Sequence, residues 1–295
     1  MLLVFLVFLF SWLSLPPFLS SIYPPSAFTR FSMASLPDIP ELGLVFPASP
    51  IANAAFDYVK KHCDEAVYNH QVRAAYWALI MVRKLPQFVT KPPNMNIVVV
   101  ACIFHDMGLA NSPELLSADK RFEVDGANIA RNFIENYMQT HGHASDVDEC
   151  WGEASVLRVW DAIALHATSS IALHAAPEVA LTQMGVAADF RGPNYPNGPG
   201  QQNLISEDEY HAVMRVFPRA GFTSECFKRI LCGVCHRKPA TTYDNWAGAF
   251  GLQFGTDETE QSKETYKQNW QQKQLVNALL PSMQFLESLD ATHNS

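Results

Sequence analysis

The run Ile97-Val98-Val99-Val100-Ala101-Cys102-Ile103-Phe104 is apolar at every position and ends on His105-Asp106-Met107-Gly108. Three consecutive valines would suit a buried strand. The competitor is a helix that is apolar all round and buried on every side, with Gly108 as its C-terminal stop. No other segment reads as a strong strand partner, which favours helix for residues 95–107. An imidazole beside a carboxylate at the end of such a run is costly to bury unless something pairs with it. A divalent metal answers that need, because imidazole and carboxylate together suit Zn, Fe or Mn.

Two further residues extend this pair outward. Upstream, Asp64 is placed to cap a helix running to about Leu85, ahead of Pro86. On it Val67, His70, Ala74, Trp77 and Met81 recur at spacings of three and four, so His70 lies within the apolar stripe and points inward. Downstream, a helix from Pro177 to Phe190, with proline in its first turn, carries Asp189 at its end. Between them, residues 119–138 and 155–167 read as helices, the second bearing His166. The ordered set His70, His105-Asp106, Asp189 is a candidate metal-ligand constellation, and His166 is a candidate acid/base or substrate partner outside it.

The chain has 295 residues, 48% hydrophobic and 17% charged, enough for one sizeable core. A net charge of -8 without a basic run excludes nucleic acid as a partner, since phosphate binding needs concentrated positive charge. The expected partner is a small-molecule substrate, with no membrane span and with self-association left open. Residues 1–32 open on an apolar stretch too short for a membrane span. They read as a secretory signal, as upstream sequence ahead of a true start at Met33, or as an anchor. The protein is cytoplasmic if Met33 is the start and enters the secretory pathway otherwise. Residues 33–50 read as an extended arm, 51–255 as the folded domain and 256–295 as a polar tail, a loosely attached helix or disordered. The Gly/Pro/Asn stretch 191–203 is a candidate lid. Cys232-Gly233-Val234-Cys235-His236 matches a haem-attachment motif in letters and half a zinc site in spacing, but sits in what reads as an ordinary helix.

The pattern of one His on a helix, His-Asp at the end of another and Asp on a later one resembles the HD-domain superfamily of metal-dependent hydrolases, over roughly residues 50–255. Asn69-His70-x-x-Arg73 and Ala101-Cys102-x-x-His105-Asp106-Met107-Gly108 carry the likeness. Within that superfamily the chain looks most like the fungal cyanamide-hydratase-like branch, through Val67-Tyr68-Asn69-His70, Arg121-Phe122-Glu123-Val124-Asp125-Gly126-Ala127 and Ala162-Ile163-Ala164-Leu165-His166. The resemblance implies an all-α fold, a single helical HD domain, with His70, His105, Asp106 and Asp189 holding the metal. Two-metal relatives place an extra His where this chain has Phe122, so the implied cofactor is one divalent metal, zinc or iron. This weighs against the two-iron oxygenase relatives. The implied activity is a metal-dependent hydratase or hydrolase acting on a small, nitrile-like substrate, with His166 catalytic. The alternatives are a phosphohydrolase acting on a nucleotide or phosphate ester, and a metal-binding protein without catalysis. One departure bears on the substrate. Cyanamide-hydrating relatives carry His-Gln-Asp where this chain has His166-Ala167-Thr168.

Overall fold

The computed structural model describes residues 36–47, 49–141 and 151–293. The expectations for residues 1–32, with the start at Met33, lie outside the described residues. Among the described residues thirteen α-helices follow in chain order: α1 (Pro50–His62), α2 (Glu65–Val82), α3 (Pro86–Thr90), α4 (Met95–Phe104), α5 (Phe122–His141), α6 (Glu153–Leu165), α7 (Ser169–Ala172), α8 (Pro177–Arg191), α9 (Glu207–Val216), α10 (Ser224–Arg237), α11 (Gly248–Phe254), α12 (Glu260–Gln272) and α13 (Val276–His293). Among the described residues there is no strand, only one isolated bridge between Ile39 and Leu44. The arm therefore folds locally, with a single 3-10 turn at Pro40–Leu42.

The apolar run becomes α4, and every side chain from Ile97 to Phe104 is buried. A helix without a polar face has to be surrounded. It packs against α2, α6, α8 and α1, so it forms the axis of the bundle. Beside it, α2 and α8 make the most extensive helix pair among the described residues. A Cβ at Gly185 would fall 2.4 Å from the Ala74 carbonyl oxygen, so only glycine permits this approach. One turn from that contact on each helix lie His70 and Asp189, which is why the two meet.

Two expectations are revised and a third is narrowed. Gly108 is not the C-cap of α4: the helix ends at Phe104, with His105 as C-cap, and Met107–Leu109 form a separate 3-10 turn. Gly108 instead lets that turn lie against the start of α5, where a Cβ would sit 1.9 Å from the Phe122 carbonyl oxygen. The 191–203 stretch, the candidate lid, contributes no residue to the lining of the cavity described below. It turns toward α9, with Gly192 against the Tyr210 ring and Tyr195 buried. The polar tail is helical, and α12 is fastened by Tyr266, whose ring fills the space left by Gly251 and whose hydroxyl meets Thr242 Oγ1. Among the described residues no helix is long and apolar enough to cross a membrane.

Candidate metal centre

Three imidazoles are fixed in the same way. His105 Nδ1 lies 2.7 Å from the Cys102 carbonyl oxygen, one turn back on α4. His166, at the C-cap of α6, repeats this with the Ile163 carbonyl at 2.7 Å. His70 Nδ1 lies 2.7 Å from Asp189 Oδ2. A carbonyl or ionised carboxylate can only accept, so each Nδ1 carries the hydrogen and donates it. The Nε2 atom of each ring is then left as a bare acceptor.

The Nε2 atoms converge on Asp106. His70 Nε2 and His105 Nε2 are 3.2 Å apart. Asp106 Oδ2 is 3.5 Å from the first and 3.2 Å from the second. His166 Nε2 is 3.7 Å from Asp106 Oδ1. Lone pairs and a carboxylate at this spacing repel unless a positive charge lies among them. Donor atoms about 2.0–2.2 Å from a shared divalent ion lie about 2.8–3.6 Å from one another at octahedral to tetrahedral angles. All three separations among His70, His105 and Asp106 fall in that interval, and these buried residues form the one metal-competent group among the described residues.

The electrostatics give the same result. Burial would raise the Asp106 carboxyl, but His105, then His70 and His166, hold it well below the usual carboxylate range. Burial works against a charge on His105, yet the Asp106 carboxylate draws its pKa upward. Burial, followed by the neighbouring His105, pushes His166 down to about 4. The site demands one positive charge where Asp106 meets the rings, and a metal can take the place of that proton.

Asp189 lies on the Nδ1 side of the His70 ring. Its Oδ1 accepts from Arg73 Nε and Trp77 Nε1, both at 2.8 Å. Its Oδ2 accepts from Arg73 Nη2 at 2.8 Å and from His70. Burial is outweighed by Arg73 and then His70, which hold this carboxyl well below its ordinary range. It touches the far nitrogen of His70 and is not part of the converging group. A carboxylate behind a ligand histidine fixes the ring's tautomer and orientation. Phe222 stacks on the same imidazole, 4.6 Å between centroids. The structure thus gathers His70, His105 and Asp106, sets His166 against Asp106, and holds Asp189 one residue away.

The converging atoms open on a cavity of about 280 Å³. Phe122, Phe190, Phe227, Leu231 and Trp246 are among its apolar wall residues, and beyond the converging group its polar lining is His166, Ser169 and Gln183. Sequence reasoning did not single out the α10 and Trp246 wall, because nothing local says where an amphipathic helix will dock. Gln183 was also missed, although it shares a helical face with Val186, Ala187 and Phe190. Phe122 lies against the His166 ring, 5.8 Å between centroids. Glu123 and Asp125 are buried rather than solvated. Asp125 accepts from buried Lys238 at 2.6 Å, and Glu123 takes Arg121 Nη2 at 2.9 Å. The Cys232/Cys235 motif is buried inside α10, and burial pushes the Cys232 thiol up to about 11.

The family comparison bears on the same helices. Residues 67–188 match the HD domain. That span begins in α2 and ends in α8, so it contains His70, His105, Asp106 and His166 and stops one residue before Asp189. The HD domain indicates a metal-dependent hydrolase or phosphohydrolase superfamily, in keeping with an all-α bundle and a His/His/Asp group. No curated protein matches the chain.

Proposed function

We propose that this HD domain adds water to a small uncharged substrate, as a hydratase or hydrolase using one divalent metal. The observation that carries this reading is the cavity's lining: it includes neither lysine nor arginine. A phosphoryl group needs cations beside it. The basic residues nearby are committed elsewhere. Arg73 is wholly buried against Asp189, Arg121 pairs with Glu123, and Lys120 pairs with Asp119 at the surface. A volume of about 280 Å³ is also at the lower end for small-molecule sites. The phosphohydrolase alternative would have to draw all its positive charge in this cavity from the metal.

His70, His105 and Asp106 would hold the metal, with Asp189 orienting His70 from behind. A divalent metal there supplies Lewis-acid activation of water at neutral pH. His166 accepts a hydrogen bond or proton at Nε2, since its Nδ1 hydrogen is held by the Ile163 carbonyl. The phenylalanine and tryptophan wall excludes bulk water and holds the apolar part of the substrate. Phe122 occupies the place of a second-site ligand and cannot ligate, which supports one metal; zinc and iron both suit the donor set. The resemblance to the cyanamide-hydratase-like branch favours a nitrile-like substrate. Ala167 lines the cavity where those relatives carry glutamine, leaving room for something larger than cyanamide itself.

The test is elemental analysis of the purified protein, followed by a screen of cyanamide, small nitriles and amides against nucleotides and phosphate esters. The expected result is about one metal per chain and turnover confined to uncharged compounds. Phosphate release from a nucleotide, without turnover of any uncharged compound, would overturn the reading.

A further inference from the structure

Gln183 is 7% exposed and lines the cavity from α8. A carboxamide offers two N–H donors and a carbonyl acceptor, and burying it without partners is unfavourable. Among the described residues it makes no side-chain hydrogen bond, while its helix neighbours on the same face, Val186, Ala187 and Phe190, are apolar. Phe190 packs edge-on against His70, 5.0 Å between centroids. Gln183 precedes Phe190 by seven residues, about two turns of α8. The cavity thus carries both the metal-competent group and, on α8, a carboxamide with no side-chain hydrogen bond, within a largely aromatic and aliphatic lining.

We propose that Gln183 is the specificity-determining residue of this site: its carboxamide binds the polar end of a small uncharged substrate that carries both an N–H donor and an acceptor, turning the other end toward the metal-competent group. This rests on the reading of the site as one for an uncharged substrate. A structural role for Gln183 would require a partner within the fold, and the described residues provide none. An anion-binding role would require a cation beside it, and the cavity lining has none. What the carboxamide can satisfy is a neutral group with complementary donor and acceptor.

The test uses the metal-loaded full chain and two probes of nearly equal shape, benzamide and acetophenone, of which only benzamide donates N–H. Affinities are measured by calorimetry or ligand-observed NMR for the wild type, Gln183→Met and Gln183→Leu. The wild type should prefer benzamide by roughly tenfold, the scale of one net hydrogen bond. Both variants should lose that preference and bind acetophenone as before. They should keep the metal and melt as the wild type does, because no hydrogen bond within the fold is lost. A benzamide preference that survives in both variants would overturn the assignment to Gln183, as would a lowered melting temperature in both. If neither probe binds the wild type and orthophosphate does, the uncharged-substrate reading fails and this inference fails with it.

Discussion

Asp189 and His166 show at the level of single residues how one environment separates ligation from support. Asp189 has both oxygens occupied by Arg73, Trp77 and His70. Removing one partner of a buried, hydrogen-bonded charge pair costs about 3–5 kcal/mol, because the other charge is left uncompensated. Asp189→Asn should therefore lose that much stability in urea titrations of metal-stripped protein. If Asp189 acted only through the metal, the stripped protein would be indifferent to the change. His105→Ala and Asp106→Ala should shed the metal outright. His166→Ala should keep it and lose turnover by roughly 10²–10⁴-fold, the range for an acid–base group. Metal content measured beside turnover separates these cases, and metal loss in His166→Ala would make His166 a ligand. The sequence placed His70, His105 and Asp106 legibly, because apolar periodicity and adjacency are local signals. It could not show which nitrogen of His70 faces which carboxylate. That depends on the α2–α8 crossing, a contact between residues more than a hundred positions apart.

At the scale of elements, α4 was readable as a helix by elimination, and its burial followed from its lack of a polar face. The close approaches around it were not readable, since a glycine in a helix carries no record of what presses on it. Gly185→Ala would drive a Cβ to 2.4 Å from the Ala74 carbonyl. Backbone cannot rotate away, so the helices must separate; overpacking of this kind costs about 1–3 kcal/mol. The variant should also weaken metal retention, because the same crossing brings Asp189 to His70. Both effects can be read from thermal melts and metal content, and an unchanged melt would mean that the contact is slack. The cysteines of these helices provide a second check. Burial is the main force raising the Cys63 and Cys102 thiols to about 12, and Asp106 adds to it for Cys63. The folded state thus keeps protons that the unfolded state releases above about pH 9, so stability should fall as pH rises through that point. At pH 8, iodoacetamide should label Cys63, Cys102, Cys232 and Cys235 only after denaturation, as mapped by peptide mass. Rapid labelling of Cys102 in the native protein would contradict the burial of α4.

Across the whole molecule, burial is strongly uneven. The helices that hold the site are almost solid core, whereas α13 keeps Leu280, Met283 and Phe285 at 59%, 53% and 61% exposure. Large apolar side chains left in water contribute nothing to the folded state, since their surroundings barely change on folding. They do add an apolar patch of the kind that promotes association. The segment 274–295 contains no lysine or arginine, while Glu287 and Asp290 add negative charge, so it lacks the basic face of a helix that lies on membranes. The polarity of 256–295 was legible as a whole. The division between α12, fastened by Tyr266, and an unpacked α13 was not, because it turns on one aromatic ring meeting Gly251. A chain ending at Gln274 should therefore melt at the same temperature as the full chain and bind the same amount of metal. It should also remain monodisperse at higher concentration in sedimentation velocity. A melting temperature lowered by several degrees would mean that α13 packs on the bundle, and an unchanged tendency to associate would place the responsible surface elsewhere on the protein.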